Sequence, residues 1–147
     1  MTAGAVDDEV LRRHLNALES AVAHLKGHQG LPLSALELDQ DRRWAVERGL
    51  LVCAQNALDV ASHLCAALGT EVRDYTSAID GLARLGVLDR SFATRFRAIA
   101  GFRNVLVHAY LEVDPARLHR FLNESLSDFT AYSNAIREYR SRSVPGV

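Results

Sequence analysis

Apolar residues along this chain return at steps of three and four almost from end to end, a spacing that makes amphipathic helices and not strands. Leu11, Leu15, Leu18, Val22 and Leu25 form the first stripe. Asp7, Asp8 and Glu9 precede it, where a helix dipole favours acidic groups, and Gly27 to Gly30 with Pro32 end it. A loop then leads to Asp39, a candidate N-cap for a second helix that reaches about Leu68 and Gly69. That helix carries two stripes, Val46-Leu50-Cys53-Ala57-Val60-Leu64 and Trp44-Leu51-Leu58-Cys65. Apolar over more than half its circumference, it belongs in the middle of a bundle or at a subunit interface. A short third helix spans roughly 74–85 and is closed by Gly86. The fourth runs from about Asp89 or Arg90 to about Leu111, before Asp114-Pro115 stops it. The fifth takes Pro115 into its first turn and reaches about Tyr139 with Leu118, Leu122, Leu126, Phe129 and Ile136 on one face. Residues after Arg140 read as a frayed, flexible tail. The pattern predicts an all-α fold, an antiparallel bundle of four long helices plus one short helix. It forms a single domain over residues 1–147 with its core at about 6–139.

Composition narrows the function classes. A chain of 147 residues with 48% hydrophobic and 24% charged residues can bury a core without disulfides or metal. Its longest purely apolar runs, such as Leu50 to Ala54, fall far short of the roughly 20 residues that span a bilayer. The acidic N-terminus lacks the apolar segment of a secretory leader. Cys53 and Cys65 have no metal or redox spacing and read as small core residues, so a cytoplasmic location is expected. With 17 basic and 18 acidic residues the chain is no globally basic nucleic-acid binder. Local charge differs: between Arg90 and Arg120 six Arg face only Glu112 and Asp114. Arg90, Arg95, Arg97 and Arg103 could hold an RNA backbone or simply solvate the helix, and Arg95 and Arg97 cannot both face one groove. Sixteen of the 17 basic residues are Arg, which suits bidentate phosphate contacts and is equally explained by genomic base composition.

The fourth helix holds an anomaly. Phe92, Phe96 and Ile99 define its core stripe, and continuing it lands on Arg103, Leu106 and Tyr110. A charge in that stripe is costly unless it meets a partner or faces a cleft. His108 follows, five residues after Arg103. On a regular helix Arg103 and Tyr110 lie about 20° apart and Arg103 and His108 about 140° apart. A site using both therefore needs a long reach by Arg103, a distorted helix end, or a second copy of the helix. The last is the favoured arrangement, because a two-fold axis beside the helix would gather two Arg and two His around one groove. Histidine suits proton transfer near neutral pH, and arginine neutralises phosphate oxygens. RNA brings its own nucleophile, the 2′-hydroxyl, so these two groups would suffice for transesterification. An Arg salt-bridged in the bundle and a His on a wet face are the plain alternative.

The stretch Gly101-Phe102-Arg103-Asn104-Val105-Leu106-Val107-His108-Ala109-Tyr110 resembles the R-x4-H-x-Y signature of the HEPN superfamily, specifically the HepT-like toxins. The second helix, Arg48 through Gln55-Asn56-Ala57-Leu58-Asp59-Val60-Ala61-Ser62-His63-Leu64, is similar to the family's helix-two pattern. So is the run from Asp74-Tyr75 to Leu85-Gly86-Val87-Leu88, and the resemblance covers roughly residues 6 to 139. It implies a homodimeric, metal-independent endoribonuclease, the toxin of a type VII-like toxin–antitoxin pair. By position Arg103 would bind the phosphate, His108 would act as general acid and base, and Asn104 would be a positioning group. Tyr110 would accept AMP from a partner, an MntA-type minimal nucleotidyltransferase antitoxin. RNA is the implied substrate, with no cofactor and no membrane partner. A non-catalytic HEPN interaction module, binding a nucleotidyltransferase or a nucleotide, is the alternative within the same resemblance.

Two further groups stand out. Gln55, Asp59 and His63 make a polar ridge at i, i+4 and i+8 on the second helix, serving either the cleft or a polar seam across a subunit interface. His24 and His28 have helical ligand spacing but no carboxylate or Cys beside them. His14 and His119 belong to no constellation. The chain has no Gly-rich phosphate loop, serine-nucleophile elbow or nucleotidyltransferase motif.

Overall fold

Aspartates start most of the helices in the computed structural model, which describes residues 5–143. Asp7 caps α1 (Asp8–Lys26) by accepting from the Val10 amide, and Asp39 caps α3 (Gln40–Ala67) by accepting from Arg42. Asp74 and Ser77 cap α4 (Tyr75–Arg84) reciprocally, and Asp89 caps α5 (Arg90–Phe96). Asp114 caps α7 (Pro115–Glu124), whose first turn takes Pro115. Each oxygen satisfies an amide that the helix itself leaves unpaired. Gly69 and Gly86, at φ 77° and 76°, turn the chain after α3 and α4 in a conformation that side chains resist.

The frame is the expected helical bundle, with no strand among the described residues, but three helices differ from the sequence expectation. The segment before Asp39 is not all loop: Leu33–Leu38 forms α2, which buries Leu36 and packs against α3 and α7. His119 Nε2 donates to the Leu31 carbonyl at 2.8 Å, and Gln29 Nε2 donates to the Leu122 carbonyl at 3.0 Å, pinning that connection to α7. The fourth helix is interrupted at Arg97, dividing α5 from α6 (Ala98–Val107), with an Ala100-to-Arg97 bond of the tighter i, i+3 type. The fifth is interrupted at Ser125, dividing α7 from α8 (Leu126–Ser143). Neither break has a proline or glycine at it. The frayed tail is also corrected in part: α8 continues to Ser143. Arg140 donates to Asp8 at 2.8 and 3.1 Å, and its guanidinium holds the Asp8 carboxyl below the usual carboxylate range. Residues 144–147 lie outside those described.

α3 is the axis of the bundle. It packs against α1, α2, α4, α6, α7 and α8, and buries Val46, Leu50, Cys53, Ala57, Leu58, Val60, Leu64 and Cys65. By length and composition α3 would pass as a membrane span, but here its apolar surface is used on the core. The excess apolar circumference seen in the sequence is thus accounted for within one chain, except at Trp44, which is 57% exposed. Both cysteines are free and buried, and burial pushes the Cys53 thiol up to about 12, so neither is a nucleophile. α1 lies close to α3 because position 49 is glycine: a Cβ there would sit 2.6 Å from Leu25 Cδ2. Aromatic rings close the other side. Phe96 stacks on Tyr132 at 4.8 Å and meets Phe129 edge-on at 5.6 Å, and Phe102 stacks on Phe121 at 4.0 Å. The buried Tyr132 hydroxyl donates to the Ala57 carbonyl at 2.6 Å.

Candidate functional site

The core stripe of α5 and α6 runs through Phe96, Ile99, Phe102 and Leu106, which places Arg103 beside it and not in it. Arg103 is half-buried and turned toward α3, where the ridge predicted from sequence receives it. Its Nε–H donates to Gln55 Oε1 at 2.9 Å, and Nη1 donates to Asn104 Oδ1 at 3.0 Å. The guanidinium carbon lies 5.4 Å from the centre of the Tyr75 ring, over its face. Gln55 Nε2 donates to Asp59 Oδ1 at 2.9 Å and to the Tyr75 hydroxyl at 3.1 Å. Three helices thus meet on one arginine. Two of its five N–H donors are taken by these bonds, so an anion approaching from solvent finds donors that need no rearrangement.

The polar ridge is divided. Gln55 and Asp59 serve Arg103, whereas His63 Nε2 accepts the Asp7 amide at 3.2 Å and so holds the start of α1. Tyr75 is the member that sequence spacing missed. It stands 28 residues before Arg103 on another helix, and only its place at the first turn of α4 hinted at a fixed position.

His108 and Tyr110 lie elsewhere than a continuous helix would put them. α6 ends at Val107, His108 adopts φ −97° and ψ 27°, and Ala109–Leu111 winds as a 3-10 turn. The 20° and 140° offsets between motif residues therefore do not apply, and the helix end is the distorted one. The turn sets His108 Nδ1 3.1 Å from the Tyr110 hydroxyl, with the rings edge-to-face at 5.8 Å. Tyr110 does not continue the core stripe: it is 77% exposed, and Leu111 is 72% exposed. Glu112 then takes φ 73°, a strained value for a non-glycine residue and the only such case among the described residues. That turn forms one wall of a cleft of about 790 Å³, with Arg43, Trp44 and Glu47 of α3 on the other. Burial raises the Glu47 carboxyl above its ordinary range. His108 and Tyr110 form one pair just past the end of α6, and Arg103, Asn104, Gln55, Asp59 and Tyr75 form another cluster.

Three other arginines of the basic run are engaged within the bundle. Arg95 donates twice to Asp128 at 3.2 Å, and Arg97 reaches Asp80 at 3.6 Å. Arg117 lies over the Phe102 ring at 5.4 Å. The basic run from Arg90 therefore serves the bundle at these positions. His24 and His28 pack ring against ring at 5.6 Å, and His28 Nδ1 accepts from Arg42 at 2.9 Å. Burial, with Arg42 beside it, lowers the His28 pKa and opposes a bound cation. His14 Nδ1 is bonded to Asn56 Oδ1 at 2.8 Å.

Known proteins share this arrangement of helices. The chain is 23% identical over 136 residues to the tRNA nuclease HepT of Aphanizomenon flos-aquae, covering 91% of this chain and 92% of that one. The fold superposes with a TM-score of 0.84 on YutE, a cytosolic protein of unknown function from Bacillus subtilis, at 17% identity and over 97% and 96% of the two chains. A TM-score of 0.78 relates it to a tri-AMPylated HEPN toxin of Shewanella oneidensis in complex with an MNT antitoxin, at 17% identity over 88% of this chain and 97% of that one. The model of the family described as "Ribonuclease HepT-like" matches residues 9–136, nearly the whole bundle. The chain belongs to the HepT-like ribonuclease family.

Proposed function

We propose that this chain is a metal-independent endoribonuclease, the toxin of a toxin–antitoxin pair, that cuts RNA with Arg103 and His108 and is silenced by AMPylation of Tyr110. The observation that carries the reading is the 3-10 turn after α6, which puts His108 and the Tyr110 hydroxyl 3.1 Å apart on the surface, at the end of the helix that carries Arg103. With Nδ1 facing Tyr110, His108 has Nε2 available to take the proton from a 2′-hydroxyl and, in the other protonation state, to give one to the leaving 5′-oxygen. Arg103 neutralises the charge that builds on the phosphate, and Asn104 steadies its Nη1. No step asks for a cofactor. The relative in Aphanizomenon flos-aquae is named a tRNA nuclease, which makes tRNA the first substrate to test.

A homodimer with the two motif regions facing one groove remains part of the proposal, on a new basis. Trp44, Tyr110 and Leu111, large and exposed, line a single cleft beside the motif. Exposed apolar groups gathered at one place mark a surface that associates, with a second copy or with the nucleotidyltransferase antitoxin. A cytoplasmic location follows from the same reading, since the substrate is intracellular RNA.

Expression in a bacterial host tests the function as a whole. Growth should arrest, Arg103→Ala should relieve the arrest at equal protein level, and co-expression of an MntA-type nucleotidyltransferase should relieve it for the wild type. Arrest that persists undiminished in the Arg103→Ala protein would refute the assignment of that residue.

A further inference from the structure

We infer that Asp59, acting through Gln55, fixes the orientation of the Arg103 guanidinium for reaction, so that Asp59, Gln55 and Tyr75 are positioning residues of the site; the inference rests on the nuclease reading above. The argument turns on hydrogen-bond polarity. A glutamine amide has one acceptor end and one donor end, and Gln55 has neighbours that demand opposite ends. Arg103 Nε–H can only donate, and it meets Oε1 at 2.9 Å. The Asp59 carboxylate can only accept, and it meets Nε2 at 2.9 Å. Turning the amide over would set donor against donor at Arg103 and acceptor against acceptor at Asp59. One orientation alone satisfies both, and Asp59 selects it.

Tyr75 completes the device. Its hydroxyl accepts from Gln55 Nε2 at 3.1 Å and lies 3.4 Å from the same Asp59 oxygen, while its ring lies under the guanidinium at 5.4 Å. The Nε edge and one face of Arg103 are thus held, and the Nη2 edge is left toward a ligand. Gln55 and Asp59 are successive turns of the central helix, so the aim of the arginine is tied to the element that packs against most of the others. Such a lock matters because a displacement of about 1 Å in a reacting group costs on the order of 100-fold in rate.

The test compares Gln55→Ala, Asp59→Ala and Asp59→Asn with the wild type, measuring kcat and KM for RNA cleavage and the proton exchange of Arg103 Nε–H by nitrogen-edited NMR. Asparagine can turn its own oxygen toward Gln55, so it keeps the lock that alanine removes. The two alanine variants should lose roughly 10- to 100-fold in kcat with KM within about threefold, and their Arg103 Nε–H should exchange freely. Asp59→Asn should stay within about fivefold of wild type with a protected Nε–H, about what one neutral hydrogen bond is worth. An Arg103 Nε–H that exchanges freely in the wild type, or stays protected in both alanine variants, would overturn the inference. So would an alanine variant with wild-type kcat. Wild-type protein that leaves RNA intact while keeping a protected Nε–H would overturn the nuclease reading alone, with the orientation of Arg103 standing on the exchange data.

Discussion

Replacing His108 by alanine lowers RNA cleavage by about 10²- to 10⁴-fold, the range that a positioned general acid or base supplies. The fold should not notice. His108 is exposed, sits past the last turn of α6, and makes its side-chain bond to Tyr110, itself on the surface. Loss of such a residue costs within about 0.5 kcal/mol, so the unfolding midpoint should stay within about 2 °C of wild type. The two readouts together separate chemistry from stability. A variant that cleaves within a few-fold of wild type would remove His108 from the proton transfer. One that unfolds well below wild type would show that the residue is structural.

Tyr110→Phe has the second large effect, and it falls on regulation. The substitution keeps the ring and deletes the oxygen that would attack the α-phosphate of ATP. AMP incorporation by an MntA-type nucleotidyltransferase should vanish from the intact-protein mass, and the variant should escape neutralisation. Cleavage itself should fall by no more than about tenfold, because the lost contact with His108 is one solvent-exposed hydrogen bond worth about 1 kcal/mol. AMP on the wild type would act in two ways: it adds an anion to the motif that competes with RNA phosphate, and it fills the cleft in front of Trp44. Tyr110 is exposed, so its ring is not part of the core and its hydroxyl is reachable by a partner enzyme. Undiminished AMP incorporation into Tyr110→Phe would place the modification on another residue.

Sequence spacing revealed what local chemistry controls. The stripe Leu11, Leu15, Leu18, Val22 and Leu25 is buried along its whole length, and Asp39, the candidate cap, does cap the helix it precedes. Period and cap are properties of a few neighbouring residues, so they survive in a bare sequence. The interruptions at Arg97, at Ser125 and after Val107 do not. No proline or glycine marks them, and long-range contacts such as Arg97 to Asp80 and Arg95 to Asp128 act around the first. The site shows the same division. Arg103, Asn104, His108 and Tyr110 stand out as a motif, whereas their true relation depends on a 3-10 turn that ideal helix angles miss. The ridge Gln55, Asp59 and His63 was visible as a pattern, but its splitting between Arg103 and Asp7 is a matter of which helices come to face it.

The central claim is that an arginine and a histidine, without a metal, cut RNA in this fold. The most direct measurement incubates the pure protein with tRNA in excess EDTA and identifies the new RNA ends. The account predicts undiminished cleavage that leaves a 2′,3′-cyclic phosphate, the product of attack by the neighbouring 2′-hydroxyl. Cleavage that stops with chelator and returns with a divalent ion, leaving 5′-phosphate ends made by attacking water, would contradict it.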